Sequence, residues 1–77
     1  MKQVALFVLP KCKWCNEAKE YFKVKKIRYN LIDLSTNKKA LNDCKKQGCS
    51  GAPVVLIENR WICGFDKNKI NKELGIK

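Results

Sequence analysis

The stretch Val4-Ala5-Leu6-Phe7-Val8-Leu9-Pro10-Lys11-Cys12-Lys13-Trp14-Cys15 decides how the rest of the chain is organised. Val4 to Leu9 is apolar without alternation, which reads as a strand buried on both faces and therefore central in a sheet. Pro10 has no N–H to give to a ladder and ends that strand. From Cys12 onward the apolar residues Trp14, Ala18, Tyr21 and Phe22 fall on one helical face, with Glu17, Lys19, Glu20 and Lys23 on the other. A Cys-x-x-Cys is thus delivered by a strand onto the first turn of a helix. There, unpaired backbone N–H groups and the helix dipole stabilise a thiolate at Cys12, and Lys11 and Lys13 add positive charge. Thiols in such motifs have pKa values of roughly 3.5 to 7.5, against ~8.5 for a free cysteine. Cys15 lies one turn later and deeper. The roles divide accordingly: Cys12 attacks a disulfide and Cys15 resolves the mixed disulfide that results.

The 77 residues are expected to form one domain, 1–77, around a single modest core. At 45% hydrophobic residues the composition is globular rather than disordered. The run Val4 to Leu9 is too short to span a membrane and lacks the features of a signal peptide, so a soluble, cytoplasmic protein is expected. A monomer is the expected state. Five cysteines are roughly 6% of the chain, below the ~8–10% that marks a disulfide scaffold. Their odd number and the lack of an export signal point to a reducing compartment, where Cys-x-x-Cys is redox-active or metal-binding. Seventeen Lys and Arg against seven Asp and Glu leave a net charge of +10. That raises nucleic-acid binding, but the lysines occur in every segment rather than along one stripe. They read as a solvated surface that attracts anionic partners at low salt, and neither nucleic acid nor membrane is an expected partner.

Downstream, Ile27-Arg28-Tyr29-Asn30-Leu31 alternates as a half-buried strand continuing to Asp33. Ser35 and Thr36 are candidate N-caps for a second helix, which carries Ala40, Leu41 and Cys44 and closes at Gly48. Val54-Val55-Leu56-Ile57 and Trp61-Ile62-Cys63 flank Glu58-Asn59-Arg60 as a hairpin, with Asn59 the residue suited to a positive φ. Asp66 is a suitable N-cap for a last helix, Phe65 and Ile70 are spaced for a hydrophobic staple, and Gly75 stops it. The order is β-α-β-α-β-β-α, an α/β arrangement with a mixed four-stranded sheet flanked by three helices. The first two strands are parallel across a right-handed crossover and the last two are an antiparallel hairpin.

A second reading of the cysteines is a metal site. With no histidine in the chain, zinc or an iron–sulfur cluster would need Cys44 and Cys49 beside Cys12 and Cys15. Cys44, on the apolar face of its helix, reads as core filling. Cys49 is expected to be exposed near Pro53, open to glutathionylation or a second disulfide, and Cys63 to pack within the sheet. Pro53, taken alone, is an ordinary strand-start proline.

Cys12-Lys13-Trp14-Cys15 after the first strand, Gly51-Ala52-Pro53-Val54-Val55 entering the third, and Gly64-Phe65-Asp66 opening the final helix together resemble the glutaredoxin family, over essentially the whole chain. The short length and the ending resemble the small bacterial glutaredoxin-like proteins. The resemblance implies a thioredoxin-like fold and a cis Ala52–Pro53 bond held against the sulfur pair. It also implies glutathione as cosubstrate, with no metal or tightly bound cofactor. Ala52 would pair through its backbone with the cysteine of glutathione. Gly64, Phe65 and Asp66 would receive its γ-glutamyl end, and Trp14 would flank the substrate. Lys13 stands where the family commonly has Pro. Leu9 replaces a lysine, so Lys11 must supply that charge, and Cys63 replaces the first of two glycines. The expected activity is a glutathione-dependent thiol–disulfide oxidoreductase acting on disulfide-containing or glutathionylated proteins. The alternative within the same fold is a redoxin recycled by a thioredoxin-reductase-type flavoenzyme, serving ribonucleotide reductase.

Overall fold

In the structure, a computed structural model that describes residues 3–75, the chain runs β1 (Val4–Val8), α1 (Lys13–Val24), β2 (Asn30–Asp33), α2 (Lys38–Lys46), β3 (Val54–Ile57), β4 (Arg60–Cys63), α3 (Lys67–Leu74). The strands form one sheet in the order β2-β1-β3-β4. β1 is parallel to β2 and antiparallel to β3, and β3 is antiparallel to β4. The unalternating Val4-to-Val8 run is therefore central, with Leu6 fully buried and Phe7 and Val8 nearly so.

Alternation along the strands sorts the core into two clusters. Leu6, Val55 and Ile62 are register partners across the sheet and pack with Cys15, Ala18 and Phe22 of α1 and Ile70 of α3. Phe7 and Val54, partners on the other face, pack with Ala40 and Cys44 of α2, Leu34 and Cys49. Full burial of a side chain such as Leu6, Phe22 or Ile57 contributes about 1.5–3 kcal/mol. α2 brings only small residues, Ala40 and Cys44, to complete burial.

Four local expectations change. The helical face of α1 runs through Cys15, Ala18 and Phe22, while Trp14 is 61% exposed, because the first turn turns that position away from the sheet. β2 begins at Asn30, not Ile27. Lys26 takes φ 57° and the Ile27 N–H bonds the Phe22 carbonyl, so Ile27 and Tyr29 pack on the core before pairing with β1 begins at Ala5 and Asn30. Asn37 caps α2, its side chain accepting the Ala40 N–H at 3.0 Å. Ser35 instead donates its N–H and hydroxyl to Asp33 Oδ1, which holds the Asp33 carboxyl below its usual range. In the hairpin the positive φ falls on Glu58, not Asn59. Glu58 is tied at both ends to Gln3: its N–H donates to the Gln3 carbonyl, and its carboxylate accepts the Gln3 N–H. The last helix is as expected. Asp66 caps it through the Lys69 N–H at 3.2 Å, and Gly75 ends it at φ 71°.

Candidate active site

Cys12 is itself the N-cap of α1. Its backbone is extended, and its Sγ accepts the Cys15 N–H at 3.1 Å. A sulfur in that position faces the open N–H groups of the helix, which favour negative charge there. The first turn carries no acidic residue to oppose this, and Lys11 and Lys13 on either side are exposed. Lys11 takes φ 58°, so the chain turns sharply between Pro10 and the helix. Cys12 and Cys15 are joined as a disulfide, with Cα atoms 5.2 Å apart. Their burial is unequal: Cys15 is 1% exposed within the α1-side core, whereas Cys12 lies partly open at its edge. An incoming sulfur meets Cys12 first.

Opposite the pair stands the segment entering β3. The Ala52–Pro53 bond is cis, and Pro53 is fully buried. The Ala52 carbonyl oxygen lies 3.9 Å from Cys12 Sγ. Among the described residues, Ala52 alone of the partly buried side chains packs against both core clusters. The Pro53 carbonyl accepts the Gly64 N–H at 2.8 Å, which draws Gly64-Phe65-Asp66 alongside the proline. Gly64 sits at φ 85°, a conformation glycine adopts without a Cβ penalty. Phe65 turns its ring into the core, edge-on to Tyr21 at 5.6 Å, with Lys67 Nζ 5.7 Å above it. Tyr21 in turn bonds Asn71, which ties α1 to α3. Three separated stretches thus converge: Cys12 and Cys15, Ala52 and Pro53, and Gly64 to Asp66. Lys11 and Trp14 flank the first stretch and are exposed.

The chemistry open to this arrangement is exchange between Cys12 and an external disulfide, followed by closure onto Cys15. A model of the family described as Glutaredoxin matches residues 4–62. The chain belongs to the glutaredoxin family. Among relatives of this glutaredoxin, a glutaredoxin-like 8.6 kDa protein of the rubredoxin operon of Clostridium pasteurianum is 35% identical over 72 residues, covering 90% of this chain and 93% of the relative. A variant of the thioredoxin-like protein BC3987 superposes with a TM-score of 0.89 at 26% identity, covering all of both chains. The glutaredoxin-like NrdH-redoxin of Escherichia coli superposes at 0.84 and 20% identity, covering 91% of this chain and 92% of its own. The fold is thioredoxin-like, and thiol–disulfide oxidoreduction is the activity it carries.

Of the remaining cysteines, Cys49 and Cys63 differ from expectation in their exposure. Cys49 is 4% exposed rather than open, and Cys63 is exposed rather than packed in the sheet. The two form a second disulfide, with Cα atoms 5.2 Å apart. Cys63 is the register partner of Val54 and so shares the α2 face of the sheet with Cys49. The sequence held one signal for this pairing: Cys63 continues the β4 alternation on the face opposite Ile62, toward the end of α2. Cys44 is buried as expected. Burial, and behind it the Asp43 carboxylate, push its thiol up from the ordinary 9.0. The cysteines are thereby divided between two faces, and no group of three or more metal-ligating side chains occurs among the described residues. Nor is any described helix long and apolar enough to cross a membrane.

Proposed function

We propose that this glutaredoxin reduces protein disulfides and protein–glutathione mixed disulfides, with glutathione as its electron donor, in the cytoplasm. The observation that carries the reading is the position of Cys12 Sγ, beneath the Cys15 N–H at 3.1 Å and 3.9 Å from the Ala52 carbonyl. In the reduced protein the Cys12 thiolate attacks one sulfur of the substrate. The substrate S–S bond breaks, and its other sulfur leaves as a thiolate and takes a proton. Cys15, as thiolate, then attacks Cys12 Sγ, which releases the second substrate thiol and closes the Cys12–Cys15 disulfide. Two glutathione molecules reopen it and leave as oxidised glutathione. In this reading the Ala52 backbone pairs with the bound cysteine and Pro53 holds that segment in place. Gly64, Phe65 and Asp66 receive the γ-glutamyl end, the anionic group lying near helix-start N–H groups. Lys11 supplies positive charge, and Trp14 covers the substrate.

One feature favours a second reading, in which a thioredoxin-reductase-type flavoenzyme recycles the pair. Cys63, not glycine, precedes Gly64, so a side chain stands beside the γ-glutamyl site. The Escherichia coli neighbour, for its part, is described as having a thioredoxin-like activity profile. The experiment that separates them follows NADPH oxidation with a disulfide substrate. One arm contains glutathione and glutathione reductase, the other thioredoxin reductase. Turnover in the first arm is the expected result. Turnover only in the second overturns glutathione as donor and leaves the dithiol chemistry standing.

A further inference from the structure

The Cys49–Cys63 disulfide takes no part in the chemistry of Cys12 and Cys15, and it lies on the opposite face of the sheet. Its two ends differ. Cys49 is 4% exposed among Phe7, Cys44 and Val54, while Cys63 is exposed at the end of an edge strand. An external thiolate therefore reaches the bond at Cys63, with Cys49 as the leaving sulfur. The bond is also not what places its ends. The Cys49 N–H bonds the Cys44 carbonyl at 3.0 Å at the close of α2. Cys63 is held by its pairing with Val54 and by the Gly64-to-Pro53 bond that follows. Those backbone bonds do not involve the sulfurs, so what the disulfide adds is a side-chain tether from β4 to the start of the 49–53 segment, and exposed disulfides are the labile ones.

What the bond does reach is residues 49–53. That segment starts at Cys49 on the α2 face and ends at Ala52, which packs on both clusters and lies 3.9 Å from Cys12 Sγ, and at Pro53. We propose that Cys49–Cys63 is a second redox-active disulfide, reduced by low-molecular-weight thiols through attack at Cys63. Its state sets how firmly the Ala52-Pro53 segment holds the substrate of Cys12. In the reaction a thiolate attacks Cys63 Sγ, the bond to Cys49 breaks, and Cys49 leaves as a thiolate and takes a proton. A second thiol molecule attacks the mixed disulfide on Cys63 and departs with the first as a disulfide. Two external thiols are oxidised, and Cys49 and Cys63 gain the two electrons and two protons. The net charge of +10 draws an anionic thiol such as glutathione toward the site.

The exchange does not depend on which donor serves Cys12. Its control of substrate binding rests on the proposed role of Ala52 and Pro53. The test uses the C12S/C15S variant, in which the second pair and Cys44 are the only thiols. It is equilibrated in buffers of stepped reduced-to-oxidised glutathione ratio, trapped by alkylation after denaturation, and weighed. The expected result is a step from one alkylated cysteine to three while circular dichroism remains that of the folded chain, with a transient glutathionyl group on Cys63 and none on Cys49. A pair that opens only on unfolding, or an adduct on Cys49, overturns the proposal. For the coupling, KM for a glutathionylated peptide is compared between wild type and both C63S and C49S, the latter opening the bond without altering the residue beside Gly64, at a ratio that keeps the second pair closed in wild type. A rise of about fivefold or more in both variants, falling on KM rather than kcat, is expected. Equal KM values overturn the coupling. If glutathione fails to drive Cys12 turnover while the thiol count still steps, the proposed donor falls and the second redox centre stands.

Discussion

The Gly64 amide donates to the Pro53 carbonyl at 2.8 Å, and this bond joins the segment that enters β3 to the turn that opens α3. It continues the β3–β4 ladder one step past the Val54–Cys63 pair, so the loops are extensions of a sheet edge rather than free segments. The geometry of Gly64 is accordingly open to a direct test. It sits at φ 85°, and a Cβ built there meets nothing within 4 Å. Gly64→Ala therefore costs only the left-handed conformation, about 1–2 kcal/mol. That is expected to lower Tm by about 4–8 °C per kcal/mol in a domain of this size. KM for a glutathionylated substrate should rise at the same time. A thermal melt and steady-state kinetics check both, and an unaltered KM would remove Gly64 from the substrate site.

Cys12 and Cys15 differ in burial, and their roles should differ in the same sense. Cys12→Ser is expected to reduce both protein-disulfide reduction and deglutathionylation to the uncatalysed level. Cys15→Ser should spare deglutathionylation, because a second glutathione resolves the intermediate, while protein-disulfide reduction drops. Retained activity in Cys12→Ser would sink the assignment of the attacking sulfur.

Trp14 is 61% exposed on the helix turn between the two cysteines and contributes little to the core. Trp14→Ala is expected to change stability by no more than about 0.5 kcal/mol, the range of ordinary surface substitutions. Its effect should fall on KM for peptide and glutathione disulfides. Urea denaturation set beside kinetics separates these, and a large loss of stability with normal KM would make Trp14 structural.

Cys44 gives stability a pH dependence of known sign. Its native thiol is raised by burial, so in the unfolded chain it ionises first, near 9.0, while the folded chain keeps the proton. The contribution is complete below that value and is lost as pH rises through it toward the native one. Between neutral pH and about pH 9.5 the urea midpoint of the wild type should fall more than that of Cys44→Ala. Equal falls would contradict the burial argument.

The sequence by itself was enough for the order of elements, the central position of β1, the Cys12 helix start, and the Asp66 and Gly75 ends of α3. Each of these is local. An unbroken apolar run, a capping residue or a glycine past a helix acts over a few neighbours, and its effect is legible without knowing what packs against it. The cis Ala52–Pro53 bond was legible only through family resemblance, since a lone strand-start proline carries no sign of it. Tertiary contacts decided the rest. Glu58 rather than Asn59 took the positive φ because Gln3, far away in sequence, holds its amide and carboxylate. Trp14 faced solvent because the sheet lies on the side of Cys15 and Phe22. Cys49 found Cys63 because the strand order puts the end of β4 beside the loop after α2. A disulfide depends on two backbones meeting in space, and no spacing within one segment encodes that meeting.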